Sequence, residues 1–168
     1  MSTTLVHSAP IAQEHHERLL RHVDQLPQVA ELMERGPVDQ FRFALGEMCV
    51  FMTDLLVPHM EAAERAMYPE LERMLQNRHS MTPMRREHAQ IRSGVAELLR
   101  LRGIADGTQL TINDQTALRR TVFRLYGLLK CHLAEEQLYA EIVEHGASPE
   151  AEQALATAME HSGTGRAE

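Results

Sequence analysis

Four histidines, His16, His59, His88 and His132, recur on the apolar stripes of four different predicted helices, and Glu136 follows the last of them by one turn. An imidazole in such a stripe must find a hydrogen bond, a charge partner or a metal, because burial strips it of water. Taken singly, each ring is best explained as a core histidine with a private hydrogen-bond partner. Taken together they point to a metal, since one ion satisfies all four at once and neutral imidazole is the commonest nitrogen ligand. His132 and Glu136 are four apart, so they stack on one helix face and can reach the same side of a core site. A buried carboxylate without a cation would be costly or protonated. One turn after His59, where symmetry asks for a second carboxylate, the chain has Ala63.

The remaining histidines fit the stripes less well. His15 lies a third of a turn from His16, and the spacing to Leu19, Val23 and Leu26 selects His16. His22 borders the stripe and is read as a surface residue. His7, His79, His145 and His161 fall in loops, helix ends or the tail, also as surface residues. Met48, Met52, Met67, Met81 and Met84 are read as flexible core filler, although Met84 precedes His88 by one turn and faces the same site. Glu135 falls off the Glu136 face and is expected to be solvated.

These side chains need helices to position them, and the punctuation supplies the boundaries. A first segment runs from Pro10 to about Arg35, stopped by Gly36-Pro37, with Pro27 inside it to kink or divide it. A second runs from Val38 to about Asn77, with Pro58 and Pro69 inside. Thr82-Pro83 opens a third that ends near Gly103, and Ala105 to Leu110 reads as a loop. Thr111 to Asp114 opens a fourth, closed by Gly146. The stripes are Ala12, His16, Leu19, Val23, Leu26; then Phe41, Leu45, Met48, Met52, Leu55, His59, Ala62; then Met84, His88, Ile91, Val95, Leu98; then Leu118, Val122, Leu125, Leu129, His132, Glu136, Tyr139, Val143. Steps of three and four define seams facing a core. The expectation is an all-α, up-down-up-down four-helix bundle over residues 1–146. Residues 147–168 would add a short fifth helix, starting at Ser148-Pro149, and a flexible tail from Ser162.

Composition narrows the classes. A chain of 168 residues fits one domain. Its formal charge of −7 offers no basic face for nucleic acid. The uncharged run around Met48 to Thr53 is interrupted too soon to span a bilayer, and without a charged-then-apolar stretch and small-residue cleavage site at its start no leader is expected. Cys49 and Cys131 are too few for a disulfide framework or a thiolate metal site, and both are expected to be buried thiols of a cytoplasmic protein. Oligomeric state is not legible.

The succession His16, Pro58-His59 with Glu64 and Tyr68-Pro69, Glu87-His88, and His132-Leu133-Ala134-Glu135-Glu136 resembles the haemerythrin-like HHE cation-binding family. The resemblance spans about Ile11 to Val143. It implies a four-helix bundle holding a non-haem di-iron centre, with histidines capping the irons and two glutamates bridging them. It also implies binding of, or reaction with, oxygen, nitric oxide or peroxide, or a sensing role. On this basis His16, His59, His88, His132 and Glu136 are the candidate metal ligands. Two positions depart from the family: Ala63 stands in place of the first bridging glutamate, and Met84 where classical members carry a further histidine. Glu61 and Glu64 point about 200° and 140° away from His59 in a regular helix, taking 100° per residue, and reach the site only if the helix unwinds near Pro58. Four imidazoles and one carboxylate would serve two irons completed by water, oxo or hydroxo bridges, or a single metal. The lining would be Met52, Leu55, Ile91, Val95, Leu125 and Leu129, which admits small neutral ligands. The alternative is a metal-free or zinc-bound bundle acting as an interaction or regulatory module.

Overall fold

Proline placement dictates where the helices break and where they widen. A computed structural model of the chain describes residues 9–146, with side chains from 14 to 143. The described residues form helices α1 (Ala9–Val23), α2 (Leu26–Arg35), α3 (Val38–Met74), α4 (Thr82–Gly107) and α5 (Ile112–Gly146), and no strand. The expected fifth helix and tail lie outside the described residues, as do the side chains of Ala12, His7, His145 and His161.

The segment expected from Pro10 to Arg35 is divided. Pro27 has no N–H, and its ring clashes with the carbonyl four residues back, so it is tolerated only in a first turn. The chain breaks at Asp24-Gln25 and restarts with Pro27 in the first turn of α2. Pro58 and Pro69 meet the same constraint inside α3, with a different outcome. Each stands two residues after the end of a π-turn, Met52–Leu56 before Pro58 and Ala63–Met67 before Pro69. Widening the helix by one residue relieves the clash without breaking the rod. The consequence is a change of register. After Met52 the buried face passes to Leu56, which is fully buried, while the expected Leu55 is only partly so. From the end of the second π-turn it continues through Met67, Tyr68 and Leu71.

Two other boundaries shift. α4 passes Gly103 and ends at Gly107, so Ala105 is helical rather than in a loop. Leu101 and Ala105 continue its buried stripe, and that burial outweighs the roughly 1 kcal/mol that a helical glycine costs. α5 opens on a reciprocal cap: Asp114 N donates to Thr111 Oγ1 at 3.2 Å, and Thr111 N donates to Asp114 Oδ2 at 3.1 Å. Cys49 is buried as expected, but Cys131 is exposed, because it lies about 100° round from the inward-facing His132.

α1 and α2 pack on α5, α2 and α4 pack on α3, and α4 on α5. Two apolar clusters result among the described residues. The larger extends from Leu19 and Val23 through Leu45, Met52, Leu98 and Leu125 to Leu133; the smaller joins Ala63, Met67, Tyr68 and Leu71 to Met81, Met84, Ala140 and Val143. α3, α4 and α5 each contribute to both clusters, and in each the histidine lies at the crossing, so the polar layer separates the two. By length and apolarity α3 would also pass as a membrane span, contrary to the expectation from its charges, but half of its apolar window is buried inside the bundle.

The register shift is testable by truncation. Leu56→Ala should destabilise the fold by about 2–5 kcal/mol, as for a fully buried leucine, and Leu55→Ala by clearly less. Denaturant unfolding of the two variants checks this, and equal losses would place the buried face where a regular α-helix puts it.

Candidate metal centre

The four histidines and Glu136 converge. His16 comes from α1, His59 from α3, His88 from α4, and His132 with Glu136 from successive turns of α5; all five are at most 2% exposed. Glu136 is the hub. Its Oε2 lies 2.6 Å from His59 Nε2, 3.5 Å from His16 Nε2 and 3.9 Å from His132 Nε2, while Oε1 lies 4.0 Å from His88 Nε2. His88 Nε2 and His132 Nε2 are 3.0 Å apart. The donors form two groups that share the carboxylate, His16–His59–Glu136 and His88–His132–Glu136, each with its ligand atoms within 4.8 Å of one another.

The opposite nitrogens are held from outside. His16 Nδ1 lies 2.7 Å from Gln137 Oε1, His88 Nδ1 2.6 Å from Glu64 Oε1, and His132 Nδ1 2.9 Å from Glu87 Oε2. Each partner is an oxygen acceptor, so in the neutral ring the proton sits on Nδ1 and Nε2 presents a bare lone pair to the centre. His59 differs because its outer partner is His15, 3.0 Å away. Arg18 donates to His15 Nδ1 at 3.2 Å, which leaves His15 Nε2–H to donate to His59 Nδ1. His59 Nε2–H then donates to Glu136 Oε2 at 2.6 Å.

His15 therefore corrects the sequence reading. Expected at the surface, it is buried and orients His59. It stands about 100° from His16, and the stripe of α1 is wide enough to bury both rings. Glu64 does not join the inner donors. It turns to the outer nitrogen of His88, where Arg92 also binds it at 3.0 Å. Met84 packs with Met81 and Met67 in the smaller cluster. His22 stacks on Phe51, and Glu135 and His79 are exposed as expected. Tyr68 enters the sequence reading only as part of a motif. Its hydroxyl is 3.0 Å from both His88 Nε2 and Glu136 Oε1. No periodicity could have found it. In a regular helix nine residues carry it about 180° from His59, and the second π-turn swings it back by about one residue's rotation of 100°.

Burial and mutual repulsion set the protonation. Burial lowers His88 to about 4, with His132 adding to the shift and Glu136 opposing it. Burial, then His59, His16 and Arg18, lower His15 to about 3. Burial opposes charge on Glu136 too, but His59, His16 and His132 outweigh it and hold the carboxyl well below its usual range. His16 moves up, because Glu136 and Gln137 overcome its burial. Burial and Glu136 raise the Tyr68 phenol far above its ordinary range.

The His88–His132 side of the centre is thus short of protons. Among the described side chains His16 Nε2 is fully buried with no hydrogen-bond partner. Tyr68 has one proton and gives it to Glu136, so no proton remains for the His88–His132 contact. Bare lone pairs about 3 Å apart around a carboxylate fit a cation with bonds of about 2.0–2.2 Å. The comparisons agree with this chemistry. The helical bundle and its buried histidine–carboxylate cluster define a candidate metal-binding protein. The family model for the Hemerythrin HHE cation binding domain matches residues 10–141, and the chain belongs to that family. No curated protein and no solved structure matches the chain.

Two outcomes are expected. In metal-free protein, His88 and His15 lie below the ordinary 6.5, so the folded state binds fewer protons than the unfolded chain as pH falls. Their stabilisation, complete above 6.5, is lost toward 4 and 3. Depressed Glu136 adds loss at lower pH, whereas His16, shifted up, contributes below 6.5 and fades as pH rises through its raised value. The melting temperature in chelator should therefore fall from pH 6.5 to 4, and a constant value would refute a neutral imidazole pocket. Glu87→Gln should weaken metal affinity by about 10–100-fold, measured by competition with a chelator, because the outer acceptor of His132 loses its charge.

Proposed function

We propose that the chain is a non-haem iron protein whose buried centre binds or reacts with a small ligand: oxygen, nitric oxide or hydrogen peroxide. The observation that carries the proposal is Glu136 lying between two pairs of histidines, its Oε2 toward His16 and His59, and His88 and His132 about 4 Å from its Oε1 and Oε2 respectively. A single carboxylate in that position can bridge two metals, which supports a di-iron centre in spite of Ala63. In this reading α1 with α2 forms one arm of an up-down-up-down bundle, and α3, α4 and α5 form the others. The iron would supply the redox chemistry.

The protein's contribution is orientation and exclusion. Gln137, Glu64, Glu87 and His15 fix the four rings. The apolar side chains beyond them, Met52, Ile91, Val95, Leu125 and Leu129, keep bulk water out, and such a lining suits small neutral ligands. Leu56, not Leu55, completes that lining from α3. Loss of one bridging carboxylate makes the two metal positions unequal, which favours redox turnover or sensing over reversible carriage.

Metal analysis after reconstitution with ferrous iron tests the reading. About two irons per chain are expected, and His132→Leu should lower both metal content and the melting temperature of the loaded protein. Zinc retained in preference to iron would favour a zinc-bound bundle. No metal at all, with His132→Leu raising the melting temperature, would favour the metal-free interaction module. With iron loaded, a steady-state peroxide assay separates turnover from carriage or sensing.

A further inference from the structure

We infer that Tyr68 is itself a metal ligand, its phenolate oxygen supplying the donor that Ala63 cannot. The inference rests on the iron reading above and assigns a residue within that centre.

Placement comes first. The Tyr68 ring is fully buried, and its oxygen lies 3.0 Å from His88 Nε2 and 3.0 Å from Glu136 Oε1. With His132 Nε2 3.0 Å from His88 Nε2, four donors converge: two imidazole nitrogens, a carboxylate oxygen and the phenol oxygen. Separations of about 3 Å are those of adjacent ligands on an ion with bonds of about 2.0–2.2 Å.

Proton count comes second. Glu64 and Glu87 take the Nδ1 protons of His88 and His132, and the phenol proton goes to Glu136. The close approach of the Tyr68 oxygen to His88 Nε2 then joins two lone pairs. A tyrosine present only as a hydrogen-bond donor to Glu136 has no reason to make that contact. A cation bound between them does.

The helix supplies the third observation. Tyr68 N–H donates to the Ala63 carbonyl across the π-turn Ala63–Met67. Tyr68 therefore stands one widened turn beyond the position where the family places a carboxylate, and its longer side chain reaches back. The Arg85 guanidinium lies over the ring, 5.4 Å from its centroid, a neighbour that favours an electron-rich phenolate. On loading, the phenolic O–H bond is replaced by an iron–oxygen bond, the proton leaves to solvent, and no electron is transferred.

The test is resonance Raman and visible absorption of the ferric, iron-loaded full chain, with Tyr68→Phe beside it. Tyrosinate ring modes enhanced through a phenolate-to-iron charge-transfer band are expected in the wild type. They should be absent from Tyr68→Phe that retains iron, and that variant should lose iron to a chelator at least about tenfold more readily. Ring-deuterated tyrosine must shift the wild-type modes, which identifies a tyrosinate ligand, and Tyr126→Phe and Tyr139→Phe must leave them in place, which assigns it to Tyr68 even if Tyr68→Phe does not fold. An iron-loaded wild type without such modes, or modes that persist in the variant, overturns the assignment and leaves the iron reading standing. A wild type that takes up no iron overturns both.

Discussion

Everything in this bundle is arranged around one carboxylate shut away from solvent. Glu136 is fully buried, and an ion so placed costs several kcal/mol unless charge or strong hydrogen bonds surround it. Helix periodicity lets one residue from each of several helices approach that point. His16, His59, His88 and His132 do so from α1, α3, α4 and α5. The apolar core yields to them, dividing into a cluster on either side of the polar layer. Because every helix that borders the site contributes an inward group, a shift of any one of them would uncover the charge. The site and the packing therefore specify each other.

How much of this the sequence reveals depends on helix regularity. α4 and α5 are unbroken α-helices, and there spacing places His88, His132 and Glu136 correctly, because steps of three and four translate directly into direction. α3 is where spacing fails. Its π-turns are invisible to a count of 100° per residue, so Leu55 is expected where Leu56 packs, and the same count would carry Tyr68 to the far side of the helix. The prolines are the available signal. Both follow a π-turn, and Pro58 lies beside His59 where main-chain disruption matters most. In α1 the failure is of another kind. Choosing between neighbours His15 and His16 assumes a narrow stripe, whereas the break before Pro27 and the packing of α1 against α5 leave room for both.

The outer partners separate a metal centre from a set of well-satisfied core histidines. A histidine retained for packing needs one partner for each nitrogen. Here the outer nitrogens are served fully, by Gln137, Glu64, Glu87 and His15, drawn from α5, α3, α4 and α1. Of the inner ones only His59 Nε2 is well served, by Glu136, while His16 Nε2 has no partner and His88 Nε2 faces His132 Nε2. Such an arrangement orients rings toward something that accepts lone pairs, and outer-shell hydrogen bonds of this type fix tautomer and raise ligand basicity.

Charge then explains why the asymmetry at Ala63 is tolerable. A second bridging carboxylate would bring another buried negative charge, which has to be matched before metal binds. Alanine removes that demand, and Tyr68, neutral until its proton is displaced, leaves the metal-free bundle with Glu136 as its single buried carboxylate among the described residues. The neighbouring acids Glu64 and Glu87 stay partly exposed and act through the histidines, so their charge remains partly in water. The metal-free fold thus carries the least charge that still presents a full set of donors, and the widened turn of α3 is the backbone feature that makes this possible.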